Sequence, residues 1–423
     1  MSLAMVTKQR PGTARITVLV ALAVFAQEST WNFYDSQVPP LLREHLSSAA
    51  LVGLLMGMDN LLGIFVQPWI GNRSDRTRTA WGRRMPYIMV GLPLGAVLFV
   101  LIPHAAHSLL PLVAVMLAYA LVVNTLNPVS TSLLPDFIGP ERRSRANAVV
   151  KIATSLTIIV AALVSVFVVD DHPKLAFAIP AALMLVAVAV LAATVRDSES
   201  PAYLAAIAED ESMAGEDTER PRARDAVLDI WRDADRSRLL LVVAIMLFGA
   251  AWAASRALVT PYGQEALGLS RGDAGGLTLP SGVAFLLAAY PAALLAERLG
   301  RLRVMLIGMS AFGLAMVLGT LLQTPTGTVV AFSIAAAGAA GFMINAVVLL
   351  WNLAPSPSLL GTYAGLYTVG WAIGGFLGPA VVGAMVDVTG WDLMLLDIAL
   401  VTALAVVVVR RLGRQRQTRP AAL

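Results

Sequence analysis

Apolar residues run along this chain in twelve long stretches separated by short polar turns, with a single extended polar interval near the middle. The stretches occupy residues 16–42, 48–70, 85–103, 109–132, 146–169, 174–195, 239–260, 275–296, 303–323, 328–351, 361–386 and 391–409. Each is about 20 residues long or longer, enough to cross roughly 30 Å of hydrocarbon. In lipid, only a helix lets such a segment satisfy its own backbone donors and acceptors. The pattern therefore predicts an all-α integral membrane protein of twelve transmembrane helices. The polar interval, Arg196 to Arg238, holds twelve acidic residues, seven arginines, Pro201 and Pro221. It reads as a linker over 196–237, joining a six-helix bundle in 1–195 to a second bundle and basic tail in 238–423. Within it Val227, Ile230 and Trp231 stand at helical spacing and predict a short amphipathic helix on the membrane surface.

Composition agrees with this pattern. Of 423 residues, 57% are hydrophobic and 14% charged, whereas soluble domains carry about 25% charged residues. There is no cysteine, which excludes a disulfide framework or a thiolate metal site. Charge placement sets the orientation: of 31 basic residues, 26 fall on one side of the predicted membrane and three (Arg43, Lys174, Arg271) on the other. The positive-inside rule puts both termini in the cytoplasm, as expected for a multi-pass protein of the plasma (inner) membrane. No nucleophile–base set, phosphate-cradling glycine loop or metal-ligand cluster is visible, so no enzyme activity is predicted. No nucleotide-binding domain is visible either, and the expected cofactor is none beyond a proton gradient.

The two halves repeat. A shift of 221 residues lays Trp31 on Trp252, Asp35 on Arg256, Pro40 on Pro261 and Asn124 on Asn345; a shift of 222 lays Asp75 on Glu297 and Arg76 on Arg298. A parallel repeat of this kind is a transporter architecture, with the substrate site between the halves near the bilayer midplane. After the second stretch the chain reads Gly71-Asn-Arg-Ser-Asp75-Arg76, then Gly82-Arg83-Arg84, and a weaker echo, Glu297-Arg298-Leu-Gly-Arg301, occupies the matching place in the second half. A carboxylate at one helix end with arginines at the next is suited to clamp a cytoplasmic gate.

This loop resembles the signature of the major facilitator superfamily, and the resemblance covers all twelve spans. More narrowly, Gln67-Pro68 through Gly82-Arg83-Arg84-Met-Pro86, with Leu134-Pro135-Asp136 and Arg142, Arg145, Ala146 and Asn147, resembles the sucrose-transporter-like branch and the related glycoside–pentoside–hexuronide cation symporters. The resemblance implies a major facilitator fold of two pseudo-symmetric six-helix bundles. It also implies proton-coupled symport, by alternating access, of a disaccharide or glycoside such as sucrose. Sodium-using relatives carry an acidic residue where this chain has Gln67, so the implied ion is the proton. The alternative is a proton-driven antiporter exporting drugs or metabolites. Against it, span 5 lacks the Gly-Pro pair of drug antiporters. The expected partners are a sugar, protons and the bilayer, with no nucleic acid, and the protein is expected to be a monomer.

An ionisable group in the membrane is costly and marks a candidate functional position. The candidates are Glu28, Asp35, Asp59, Lys151 and Arg256. Glu28, Trp31, Asn32 and Asp35 share one helical face at i, i+3, i+4 and i+7, with Gln27 beside them. Glu28, Asp35 and Asp59 are the proton-coupling candidates. At mid-membrane depth burial disfavours an ionised carboxylate, as a proton site requires, although a protonated Asp59 bonded within its own half would serve structure alone. Three arrangements are open to Arg256: pairing with Asp35, pairing with Glu28, or snorkelling outward. Lys151 lies close enough to the cytoplasmic headgroups to snorkel. Sugar hydroxyls call for planar polar groups over aromatic rings. Asn124 and Asn127, Asn345 and Asn352, and Trp252, Tyr367 and Trp371 complete the substrate candidates with Gln27, Trp31, Asn32 and Arg256. The gate candidates are Gly71, Asp75, Arg76, Gly82, Arg83, Arg84, Glu297, Arg298 and Arg301.

Overall fold

The computed structural model describes residues 13–138, 140–212, 236–353 and 360–418, and every element within them is helical. Among the described residues, twelve helices are long and apolar enough to cross a membrane. They are α1 (Thr13–Arg43), α2 (Ala49–Asp75), α3 (Met85–Ala105), α4 (Leu109–Phe137), α5 (Pro140–Val164, continued by a π-helical turn Ser165–Val169) and α6 (Pro173–Thr194). The second half adds α7 (Ser237–Ala257), α8 (Leu279–Leu299, after a short helical turn Arg271–Gly276), α9 (Arg301–Leu322), α10 (Pro325–Trp351), α11 (Leu360–Thr389) and α12 (Met394–Thr418). Each predicted span has its helix. The predicted stretch 239–260 nevertheless stops at Ala257 and restarts as Val259–Glu265. Pro261 has no N–H to give to Ala257, which weakens the helix at that point. The surface helix expected around Val227, Ile230 and Trp231 lies outside the described residues.

With an even number of crossings the start of α1 and the end of α12 lie on one side, here called the near face. Buried apolar side chains form two clusters. One is drawn almost wholly from α1–α6 and includes Phe33, Phe99 and Phe177; the other, drawn almost wholly from α7–α12, includes Phe248, Phe312 and Phe342.

The halves meet most closely toward the far face. Gly53 and Gly57 of α2 lie against the Pro379 and Phe376 carbonyls of α11, and Gly383 lies against the Ala49 carbonyl; a Cβ at any of these would overlap backbone. Toward the near face α2 instead leaves Phe65 and Trp69 70% and 60% exposed. The bonds that Asn32, Asp35, Gln37, Arg43, Ser48 and Asp170 make to the second half all lie between mid-membrane and the far face.

Candidate translocation site

At mid-depth, α1 and α7 face each other through the shared stripe of α1. Asn32 stands one turn after Glu28, so its Nδ2 donates back to the Glu28 carbonyl (3.0 Å) and also across to Thr157 Oγ1 of α5 (2.8 Å). That leaves Asn32 Oδ1 to accept from Arg256 Nη2 at 2.6 Å. Arg256 Nε stands 3.7 Å from Asp35 Oδ2, and the guanidinium lies 6.0 Å over the Trp252 ring. Pairing with Asp35 is therefore the arrangement adopted, with Asn32 as the closer partner. Asn32, Asp35, Arg256, Ala162, Gly275 and Thr278 enclose a cavity of about 10 Å³ between the halves, room for about one water.

Asp59 is 5% exposed and accepts from Asn60 Nδ2 at 2.8 Å; no Lys or Arg pairs with it among the described residues. Asn60 is wedged against α11, where a Cβ on Gly375 would sit 2.6 Å from its Oδ1. Behind this pair, Asn124 donates to the Asp59 carbonyl (3.0 Å) and the Ala120 carbonyl (2.9 Å) and accepts from Gln67 (2.8 Å). One Asn124 amide bond ties α4 to α2 and the other closes on the backbone of α4 itself, so in this structure the side chain is engaged within the first half.

The other planar groups are scattered. Asn345 is buried and donates to the Gly341 carbonyl at 2.9 Å, Asn127 is half-buried, and Asn352 is exposed beyond the end of α10. The structure does not gather these asparagines around one point. The rings pack mainly within their own halves. Trp31 stacks on Tyr34 and Tyr119 at centroid distances of 5.8 and 6.1 Å, and Trp252 sits beside Phe285 and Phe312. Tyr367 stacks on Trp371 (6.2 Å), which covers Gly249 of α7. Gln27 is buried and Glu28 half-buried on α1. The Lys151 side chain lies outside the described part.

The near-face motif forms a clasp, but within one half. Arg83 grips Asp136 of α4 with two bonds, Nε to Oδ2 at 3.1 Å and Nη2 to Oδ1 at 2.6 Å. Arg84 donates to the same carboxylate at 3.0 Å and reaches Ser74 and Asp75 at the end of α2. Asp197, fully buried just after α6, accepts from the backbone N–H groups of Arg83 (2.6 Å) and Arg84 (2.5 Å). Gly82, at φ +98°, packs directly on it, where a side chain would collide with Asp197. Burial pushes the Asp197 carboxyl above the usual range, and the backbone donors pull only part of the way back. For Arg83, burial works against the charge, and the Asp136 bonds with the charges of Asp136, Asp75 and Asp197 together outweigh it, leaving the guanidinium raised. Gly71 lies 4.0 Å from Pro128 of α4 in the Cβ sense, and Arg76 is exposed.

The clasp ties α2, α3, α4 and the start of the linker together, all within the first half. The echo does not form a second clasp: Glu297 and Arg298 are exposed, Arg301 is half-exposed, and none has an ion pair among the described residues. Sequence reading missed Asp136 and Asp197 as the anions of the clasp. The signal was the excess of arginine at the loop, five residues from Arg73 to Arg84 facing one motif carboxylate.

Comparison with known proteins agrees with this architecture. The family model of the Major Facilitator Superfamily matches residues 20–284 and 264–422. The chain is 33% identical over 92 residues to a human membrane-associated transporter protein, covering 22% of this chain and 16% of that one. It is 32% identical over 112 residues to an uncharacterized symporter of Synechocystis (24% and 21%) and 30% identical over 92 residues to sucrose transport protein SUC4 of Arabidopsis thaliana (22% and 18%). These matches span about a fifth of the relatives' lengths. Among solved structures, a bacterial homolog of the human lysosomal transporter Spinster superposes with a TM-score of 0.75 at 15% identity, covering 96% of this chain and 99% of that one. The nucleoside transporter NupG gives 0.73 at 15% identity, covering 94% and 99%.

Proposed function

The chain belongs to the major facilitator superfamily and is a multi-pass membrane transporter, not an enzyme; on that premise we propose that it couples entry of a proton to uptake of a sugar, a disaccharide or glycoside. The observation that carries the proton half is Asp59, a buried carboxylate with an amide neighbour and no paired cation among the described residues. Such a group takes up and releases a proton without breaking an ion pair, and its neighbour Asn60 lies against the opposite half. Asp35 with Arg256 and Asn32 supplies a second switch. Protonating Asp35, or offering Arg256 a sugar hydroxyl, releases a contact that joins α1 to α7. The sugar half rests on the likeness to the sucrose transport protein. In this reading the near face is cytoplasmic, as the distribution of Lys and Arg requires, and the protein works as a monomer in the plasma (inner) membrane.

The test is the external pH of lightly buffered proteoliposomes on addition of sucrose, maltose or trehalose. Alkalinisation that disappears in Asp59→Asn is expected. No response to any sugar, with proton release on addition of cationic drugs, would overturn the reading in favour of an exporter.

A further inference from the structure

The far face carries two polar joints that no part of the transport reading uses, and they are built alike. Ser48 caps α2 by accepting from Leu51 N at 3.3 Å, and Ser270, 222 positions later, caps the short helical turn Arg271–Gly276 that leads into α8 by accepting from Asp273 N at 3.1 Å. In each case the first free backbone donors of the helix are taken by an aspartate of the other half. Asp387, near the end of α11, accepts from Ala49 N (2.6 Å), Ala50 N (3.2 Å) and Ser48 Oγ (2.6 Å). Asp170, at the end of the π-helical turn of α5, accepts from Gly272 N (2.8 Å) and Ser270 Oγ (2.6 Å). A helix start has unsatisfied N–H groups and a partial positive charge, so a carboxylate there is stabilising. Here the carboxylate and the helix belong to different halves.

We infer that Asp170 and Asp387 are paired latch residues that hold the far opening shut by capping helices of the opposite half. Both carboxylates are exposed, so when the halves part, water takes over the donors and acceptors at little net cost. That makes the joint reversible. The shared serine at the repeat shift makes it symmetric, one latch on each side of the cleft. The Asp35–Arg256 contact and the ion pair of Arg43 with Glu265 join the halves through long side chains on both sides. The two caps instead depend on where helix ends stand, so they sense the relative tilt of the halves.

The natural chain has no cysteine, so spin labels can be placed without background. One pair, Glu44→Cys with Val388→Cys, spans the far face; a second, Asn72→Cys with Gly365→Cys, spans the near face. Losing a side-chain cap shifts a helix-end equilibrium by about fivefold. Asp170→Ala or Asp387→Ala alone should raise the ratio of far-open to far-closed molecules about fivefold. The double variant should raise it roughly 25-fold if the sites are independent. Asp387→Asn, which keeps one acceptor, should fall between. The near-face pair must move the opposite way, toward shorter distances. Mere loss of structure would broaden both distributions together, and that result would overturn the inference. A double variant whose far-face ratio stays within twofold of the parent would overturn it too.

Discussion

The far and near ends of this transporter are fastened by different chemistry. At the far end the bonds run between halves, are exposed or part-buried, and set carboxylates against backbone donors or a single charge and Arg271 against the Gln37 amide. At the near end the bonds stay inside the first half, are buried, and gather two arginines on one carboxylate. Both sets derive from a repeated sequence, yet only the first half keeps the clasp. The difference tracks what each joint must do. A contact broken in every cycle has to be replaceable by water, whereas one that keeps three helix ends in register within a moving body has no such limit.

That contrast can be attacked in order of expected effect. Asp136→Asn strips Arg83 and Arg84 of their shared anion. Removing one partner of a buried pair costs about 3 kcal/mol, so the thermal midpoint of the purified protein should drop by several degrees. The far-face spin-label distances should not change; if they shift, the clasp is coupled to opening after all. Next, Gly57→Leu overpacks the seam only when the far face is closed, at a cost of about 1–3 kcal/mol. The far-face distance distribution should move to the open population while the midpoint changes little, and an unchanged distribution would show that the seam is not a contact of closure. Thr157→Val removes the acceptor for Asn32 and should cost about 1 kcal/mol, seen as roughly fivefold slower uptake with normal stability. Smallest is Glu297→Gln in the exposed echo. Surface charges of that kind contribute about 0.5 kcal/mol or less, so denaturation and uptake should match the parent. A loss comparable to that of Asp136→Asn would show that the second half has a clasp of its own.

Much of the fold was legible from the sequence because hydrocarbon imposes one solution on long apolar stretches, and all twelve spans appear where the pattern puts them. The break at Leu258 was signalled by Pro261 but hidden inside a continuous apolar run. Within the site, the face of Glu28, Trp31, Asn32 and Asp35 was readable from helical spacing. The contact of Arg256 with Asp35 was one of three arrangements, and only packing could choose it. Asn124 shows the limit. Its match to Asn345 across the repeat marked the position as meaningful, but an amide that binds sugar and one that ties α4 to the Asp59 carbonyl look the same in sequence. Asp136 and Asp197 lie 53 and 114 residues from Arg83, too far for any local spacing rule to pair them.

The seam of Gly53, Gly57 and Gly383 has a consequence for heat. Glycine has no rotamers to freeze, so closing backbone on backbone removes almost none of the side-chain freedom that ordinary burial costs. Warming therefore does little to favour the parted state through released side chains, as it would at an interface of leucines or methionines. The balance between the two openings should vary only gently with temperature, and this transporter should keep a similar share of molecules facing each side of the membrane in a cool cell and in a warm one.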